Sequence, residues 1–438
     1  MSADQAWVPR NHWTRAALRY RAQIIAVLLL CLISTLLVSV RESNAIPAWA
    51  RKYNADCAMC HYASYPRLNS FGLQFRRMGY RTPVEINKDQ EISNVNNFLA
   101  GRIRAQFAYN NTKGTKERTE FLTPEISLLY GGAFSRHFSG YARATSNGTD
   151  STFSGQIIGL YGNAKDFLTL RVGYMPTLLF NGVGGFDRPV GLSVPAVYAS
   201  PLTRNSSPTT LPTLNALIQS QRGAELSYVH GSGRLFAVVT NGFDNTGSAA
   251  ARVGDIDPQK DFLVGYDYIL DEIASGFTLF YYNGTTHGSL TTTAQGAPVT
   301  TGNTMSFSRF GVNVNKVFTL PGFGFFELLG GYVRSYDNTP APPPTGRTDV
   351  QGNAGYVESQ QYITGPELTF YERFSIIDFD AARTNSTRKD YTIGAVTPVE
   401  TWLRLGAEYT YTENALAGQT GQPGRTAHVA LLEIQAAW

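Results

Sequence analysis

Residues 98–109, which read FLAGRIRAQFAY, decide the fold. Their side chains alternate between an apolar set and a polar set: Leu99, Ile103, Ala105, Phe107 and Tyr109 against Arg102, Arg104 and Gln106. Successive side chains of a β-strand point to opposite faces of the sheet, so this period of two predicts a strand with one apolar face. Segments of about ten residues with this alternation are typical of transmembrane β-barrels.

Sixteen segments of comparable strand character follow one another from residue 98 onward. They are residues 98–109, 119–130, 138–147, 153–161, 167–176, 220–229, 234–243, 261–270, 275–283, 304–317, 324–336, 354–363, 366–377, 390–397, 401–411 and 428–438. Several alternate cleanly, but 366–377 does not, because Glu372 falls in line with Leu368 and Phe370. We predict an all-β protein in which residues 98–438 form a 16-stranded antiparallel transmembrane β-barrel.

The connections between the segments favour the same topology. After the first few strands they alternate between long and short, as extracellular loops and periplasmic turns do in outer-membrane barrels. The longest connection, residues 177–219, is rich in proline and folds either into the lumen as a constriction or over the surface as a lid. A soluble β-sandwich is the alternative for the whole region, but it is usually shorter and does not require this alternation.

The composition narrows the class of protein. The 438 residues include 42 glycines, 24 tyrosines and 25 phenylalanines, and only 16% of them are charged. Disordered and coiled-coil proteins carry more charge and fewer aromatic residues. The formal net charge of +4 is spread along the chain, so no nucleic acid is expected as a partner.

The N-terminus has the features of an export signal. Basic residues within Arg10–Arg21 precede the apolar run Ile24–Val40, and Ser43-Asn44-Ala45 offers small residues at the cleavage site. We predict a signal peptide over residues 1–45, with an uncleaved anchor helix as the alternative.

One motif carries chemistry, Cys57-Ala58-Met59-Cys60-His61. C-x-x-C-H is the attachment signature of a c-type haem. Each thiol can add to one of the two vinyl groups of the haem, and the adjacent histidine can bind its iron. We therefore predict one covalent haem c on Cys57 and Cys60, with His61 as the proximal iron ligand.

Three other interpretations of the motif are weaker. A thioredoxin-like pair belongs on a helix in a βαβ unit, which the sequence lacks. A structural zinc site needs four ligands, and no other mature-chain cysteine or nearby histidine supplies them. An exported disulfide would not require the histidine that follows the second cysteine.

The second axial ligand stays open at this stage. Met78 is the only methionine between His61 and the first strand, so it is the candidate distal ligand, although methionines more often serve in packing. An open position is one alternative. A histidine from the barrel region is the other: His137, His230, His287 or His428.

The haem segment, residues 46–83, is too short to build a sufficient core alone. A polar linker, residues 84–97, joins it to the first strand. We expect the segment to enter the barrel from the periplasmic end as a plug. Phe71, Phe75 and Tyr80 would then pack between haem and wall.

Four stretches carry a family resemblance: Ala45–Tyr53, the haem motif, Pro66–Gly72 and Phe75–Tyr80. With the barrel pattern that follows, they resemble the outer-membrane fused monohaem cytochrome–porins of neutrophilic and acidophilic iron oxidisers. The resemblance implies electron transfer through one haem, from extracellular Fe(II) to a periplasmic c-type cytochrome or other carrier. It also implies a bacterial outer-membrane location, with lipid around the barrel and the cytochrome segment on the periplasmic side or in the lumen.

A function of a different class is also open. The chain could be an outer-membrane diffusion porin for small anions, with a structural or sensory haem. Inward-facing arginines such as Arg102, Arg171 and Arg404 favour this function, although acidic residues such as Glu125 and Glu408 offset them. No catalytic residue is predicted, and no run of carboxylates marks an iron site.

Replacing Cys57 and Cys60 together with alanine will abolish covalent haem attachment, because both thioether bonds are lost. The measurement is haem staining after denaturing electrophoresis. Cys31→Ala, inside the predicted signal peptide, is the matched control and should stain like the wild type. Staining of the double variant would refute the assignment.

Overall fold

The computed structural model describes residues 48–62, 67–90, 94–148, 151–175, 179, 182–183, 190–199, 217, 221–241, 259–294, 297–338, 349–379, 381–382, 387–400, 402–414 and 425–438. The predicted signal peptide, residues 1–45, lies outside these residues.

Sixteen antiparallel strands close into a barrel, in which β1 pairs with both β2 and β16. In chain order, β1 to β16 are Leu99–Thr112, Arg118–Ala133, Phe138–Ser146, Ser151–Gly162, Asp166–Met175, Gln221–His230, Gly233–Thr240, Asp261–Ile269, Gly276–Ala294, Ala297–Leu320, Gly324–Asn338, Asp349–Ile363, Leu368–Asp378, Thr387–Glu400, Leu403–Asn414 and Arg425–Ala437. The predicted 16-stranded antiparallel barrel is confirmed, and each predicted segment overlaps one strand.

The largest difference from the predicted strands is at β9 and β10. Residues 284–303 were expected in a long loop, but the two strands pair without interruption up to Ala294 opposite Ala297. This stretch lacks the apolar alternation that marks the other strands. Its many threonines are compatible with a strand, so backbone pairing extends the hairpin.

The strands have the two faces that their sequences predict. On β1 and β2, Ile103 and Leu128 are exposed on the outer face, whereas Gln106 and Glu125 are buried on the lumen side. Glu372 of β13 keeps the outward position that made its segment irregular, and the hydroxyl of Ser359 donates a hydrogen bond to its carboxylate at 2.6 Å.

The N-terminal segment, residues 48–97, contains two short helices and three single 3₁₀ turns within its described residues. The helices are α1 (Ala48–Tyr53) and α2 (Ser70–Arg77), and the turns are Cys57–Met59, Pro83–Glu85 and Val95–Asn97. Within the described ranges, no helix combines the length and the apolar character needed to cross a membrane.

The N-terminal segment is fastened to the barrel wall at the end where the connections are short. The indole N–H of Trp49 donates to the carbonyl of Gly131 in β2 at 2.8 Å. The amide of Gln74 donates to the carbonyl of Gly231, in the turn between β6 and β7, at 3.1 Å. These contacts join the segment to two separate parts of the wall.

Two buried ion pairs reinforce this attachment. Arg67 pairs with Glu327 of β11, and Arg77 pairs with Asp267 of β8. All four side chains are nearly inaccessible to solvent. Loss of one partner of such a pair costs about 3–5 kcal/mol, because it leaves a buried charge uncompensated. The pairs therefore define where the N-terminal segment sits in the lumen.

The described parts of residues 177–219 also lie inside the barrel. The carbonyl of Val183 accepts hydrogen bonds from Thr278 of β9 and Asn313 of β10, at 3.1 and 3.2 Å. On another part of the wall, the N–H of Leu192 donates to Glu408 of β15 at 3.0 Å. The described residues of this connection therefore contact two different parts of the inner wall, which agrees with the first of the two predicted alternatives, a connection that folds into the lumen. A short helix within it, α3 (Ala196–Ala199), packs near β12 and β13.

Glu327→Gln should loosen the N-terminal segment without unfolding the barrel, because it leaves the buried charge of Arg67 uncompensated. We expect residues 48–90 to be cleaved faster by added protease, while the β-rich circular dichroism spectrum persists. The matched control is Asp89→Asn, because Asp89 joins the same segment to Arg136 of the barrel through an exposed pair at 3.0 Å. Exposed pairs contribute about 0–1 kcal/mol, so equal protease sensitivity of the two variants would contradict the account.

Candidate functional site

A cavity of about 1060 Å³ lies between the N-terminal segment and the barrel wall. Cys57, Cys60 and His61 all line it. Its volume is at the upper end of the range of roughly 300–1,000 Å³ that is common for small-molecule sites. The three residues that the sequence assigns to one haem are therefore brought to one space of suitable size.

The haem motif is shaped by a single turn of 3₁₀ helix. The carboxylate of Asp56 caps this turn by accepting a hydrogen bond from the N–H of Ala58 at 2.9 Å. The N–H groups of Cys60 and His61 both donate to the carbonyl of Cys57, at 3.1 and 3.0 Å. The turn is tight enough to bring both thiols and the imidazole to the same cavity.

The imidazole of His61 is held in one tautomer. Its Nδ1 lies 2.8 Å from the carbonyl oxygen of Arg67. A carbonyl oxygen only accepts hydrogen bonds, so Nδ1 carries a proton, and in the neutral ring Nε2 carries the lone pair. Such a bond orients a histidine ligand and raises its basicity, and Nε2 is the nitrogen suited to bind iron.

Asn69 and Gly72 hold α2 against the motif, and sequence reasoning did not single them out. The side chain of Asn69 caps α2 at the N–H of Gly72 and donates to the carbonyl of Met59 at 3.1 Å. A Cβ atom at Gly72 would lie 2.1 Å from the carbonyl oxygen of Cys60, so only glycine allows this approach. Both residues fall in Pro66–Gly72, one of the stretches that carry the family resemblance.

The thiols are poorly suited to disulfide exchange. Burial raises the pKa of both, to about 11 for Cys60, and the neighbouring Cys57 thiolate adds to the rise at Cys60. Redox-active C-x-x-C thiols instead have a lowered pKa. The two cysteines do not form a disulfide. No group of three or more possible metal ligands occurs in the part of the chain that the structure describes, which gives a zinc site no support.

The rest of the cavity wall fits a flat apolar ring that carries two carboxylates. Trp49 and Tyr80 stack with ring centroids 4.9 Å apart, and Tyr80 lies 5.8 Å from Tyr141 of β3. Trp49, Phe75, Tyr80 and Tyr141 all line the cavity, so this aromatic stack provides an apolar wall against which a porphyrin could pack. Basic side chains from the barrel line another part of the same cavity, among them Arg102 and Arg143. The residues present therefore fit a haem.

Met78 lies apart from this site. It is buried among Ile86 of the N-terminal segment and three side chains of the barrel: Leu160, Phe167 and Val229. It is not among the residues that line the cavity. The structure thus does not bring the candidate distal ligand together with Cys57, Cys60 and His61, and it gives Met78 a packing role.

The barrel histidines are also placed elsewhere. His137 and His230 lie at the short connections, where they bond to the carbonyl of Leu160 and the carboxylate of Asp166. His428 bonds to Tyr409 on β15. None of these three lines the cavity, and the side chain of His287 lies outside the described residues.

Of the comparisons with known proteins, those with solved structures found matches, and these matches concern the barrel. No protein-family model matches the chain, and no curated protein matches it in sequence. Pseudomonas putida OprB is 10% identical with a TM-score of 0.52, over 78% of this chain and 94% of that chain. In vitro folded OmpT of Vibrio cholerae, an outer membrane protein in its trimer form, is 10% identical with a TM-score of 0.50, over 78% and 98%. The barrel is porin-like. At this identity the likeness shows the fold alone, so the resemblance to cytochrome–porins stays a prediction.

The two predicted axial ligands should respond differently to substitution. His61→Ala should keep haem staining, because both thioether bonds remain, but it should shift the Soret band, because the iron loses a ligand. Met78→Leu should leave the spectrum unchanged and alter the free energy of unfolding by less than about 1.5 kcal/mol, as volume-conserving swaps do. A Soret shift in Met78→Leu would contradict the packing role.

Proposed function

We propose that this chain is an outer-membrane electron-transfer protein whose N-terminal segment carries one covalent haem c inside a porin-like barrel. The observation that carries the proposal is the meeting of Cys57, Cys60 and His61 at one cavity. When bound, the haem supplies one-electron chemistry at its iron. The proposed membership of the monohaem cytochrome–porin family is supported by the same motif and by Asn69 and Gly72, which shape it.

The residues around the cavity would set the properties of the iron. Nε2 of His61 would bind it, and the hydrogen bond from Nδ1 to Arg67 would orient the ring. The apolar wall that Trp49 and Tyr80 contribute to the cavity would exclude water from one side of the haem. Exclusion of water lowers the local dielectric, which strengthens the influence of neighbouring charges on the potential.

We infer an extracellular electron donor and a periplasmic acceptor. Fe(II) as the donor follows from the family resemblance, and a c-type cytochrome or other soluble carrier is the acceptor of matching chemistry. The cavity lies at the end of the barrel with short connections, which would face the periplasm in outer-membrane topology. The apolar outer face of the strands would contact outer-membrane lipid.

A diffusion porin for small anions is the second candidate function. The likeness of the barrel to OprB and OmpT favours it, as do the basic side chains that line the cavity. Two features weigh against a wide pore in the described residues. The N-terminal segment occupies one end of the lumen, and residues 182–183 and 190–199 contact its inner wall.

The two candidates predict different measurements on the purified, haem-loaded full chain. Electron transfer predicts that anaerobic addition of Fe(II) produces the reduced haem spectrum, and that single channels in a planar bilayer pass little current. His61→Ala is the control for the optical assay, because its iron lacks the proximal ligand. An open anion-selective channel, with a haem that dithionite reduces and Fe(II) does not, would overturn the first candidate in favour of the second.

A further inference from the structure

An arginine-rich cluster lies on the lumen side of the barrel next to the haem motif. We call it the arginine cluster, and it consists of Arg102, Arg104, Arg143, Arg404, Glu125 and Glu433. The carboxylate of Glu125 on β2 forms ion pairs with the guanidinium groups of Arg102 on β1, at an N–O distance of 2.6 Å, and of Arg143 on β3, at 2.7 Å. One carboxylate is thus shared by two guanidinium groups from the strands on either side of it.

The same arrangement recurs across the β1–β16 seam. The carboxylate of Glu433 on β16 forms ion pairs with the guanidinium groups of Arg104 on β1, at an N–O distance of 2.6 Å, and of Arg404 on β15, at 3.3 Å. The arginine cluster therefore has four positive and two negative side chains, which leaves these six residues with a net charge of +2.

Three of these arginines line the cavity that Cys57, Cys60 and His61 line: Arg102, Arg143 and Arg404. Their side chains are only 20%, 27% and 10% exposed. Concentrating positive charge at a largely dehydrated surface is costly unless an anion accompanies it. The planar guanidinium group matches a carboxylate with two parallel hydrogen bonds.

The other charged residues that line the cavity are one arginine and four acidic residues. Arg76 adds a further positive charge, whereas Asp56, Glu272 and Glu367 are exposed to solvent. Glu400 lies at the end of β14, beside the turn into β15. Three of the four acidic residues are thus exposed to water, whereas the arginines that line the cavity are buried or half-buried.

We propose that the arginine cluster binds the two propionate carboxylates of a haem attached at Cys57 and Cys60. This inference rests on the proposed function. Two carboxylates match the net charge of +2. The thioether bonds to Cys57 and Cys60 would hold one edge of the haem, and the arginine cluster on the barrel wall would hold the propionate edge. The cluster would thereby join the haem to β1, β3 and β15, in addition to its covalent attachment to the N-terminal segment.

The proposal has an electrochemical consequence. Oxidation adds one positive charge at the iron, and the arginines neutralise propionate charges that would favour that oxidised form. Loss of one arginine should therefore lower the midpoint potential. It should also raise the pKa of a propionate, because the ionised form loses a positive neighbour, so the potential should become more dependent on pH.

The test compares Arg143→Gln with wild type in the haem-loaded full chain. Haem staining and heat-modifiable migration report attachment and folding, and redox titration at several pH values reports the propionate contacts. We expect unchanged staining, a lower midpoint potential and a steeper pH dependence, with partial recovery in Arg143→Lys. Arg118→Gln is the matched control, since Arg118 lies 72% exposed on β2 and pairs with Glu120.

The outcomes separate this inference from the proposed function. Absence of covalent haem in the wild type would end both. A wild type that binds haem and is reduced by Fe(II), with an Arg143→Gln potential and pH dependence equal to those of Arg118→Gln, would overturn the propionate site alone. A change in anion selectivity of the channel in Arg143→Gln, without any change in potential, would assign the arginine cluster to anion passage instead.

Discussion

The arrangement of the site depends on Arg67, because this residue contacts both the haem motif and the barrel wall. Its backbone carbonyl accepts the Nδ1 proton of His61, and its guanidinium pairs with Glu327 of β11. Burial works against this charge, but Glu327 outweighs it and raises the pKa of Arg67 above its ordinary value. Asn315 of β10 donates to the same carboxylate at 2.9 Å. His61, the proposed proximal ligand, is therefore held through one residue against a closed barrel.

Closure of the barrel gives this bracing its rigidity. Every strand pairs on both sides, so Glu327 is fixed by a continuous hydrogen-bonded ring of strands. A barrel of sixteen strands is wide enough to leave an aqueous channel. Here the N-terminal segment lies at one end of the lumen, and an apolar cluster that includes Tyr198 and Leu217 packs on inward side chains of β7–β13 farther along. The short N-terminal segment can thus use the barrel as the core that it cannot build alone.

The sequence was sufficient to predict the barrel because its signal is a local pattern, and the haem attachment, which stays a prediction, rests on a pattern that is just as local. A period of two is visible within one strand, and C-x-x-C-H is visible within five residues. The pairing of Arg67 with Glu327 could not be predicted in this way, since the two residues are 260 positions apart and meet only when the barrel closes. The packing role of Met78 could not be predicted for the same reason. Its contacts with β4, β5 and β6 depend on where α2 lies against the barrel wall.

The role of Gly72 beside the haem motif also could not be recognised from the sequence, because it depends on a tertiary contact. Gly72 is conspicuous only when the carbonyl of Cys60 is seen against it, and a lone glycine in a short helix gives no such signal. Glu372, by contrast, was placed correctly from the sequence alone. The alternation put it on the same face as Leu368 and Phe370, and it lies on that outer face of β13.

The most direct test of the central claim is a cryo-electron microscopy map of the full chain, purified from cells that attach c-type haem. The account predicts haem density inside the barrel, continuous with the sulfurs of Cys57 and Cys60, with Nε2 of His61 on the iron and Arg67 on Glu327. A map with this cavity open to solvent and no haem joined to the two cysteines, or with the N-terminal segment outside the lumen, would contradict it.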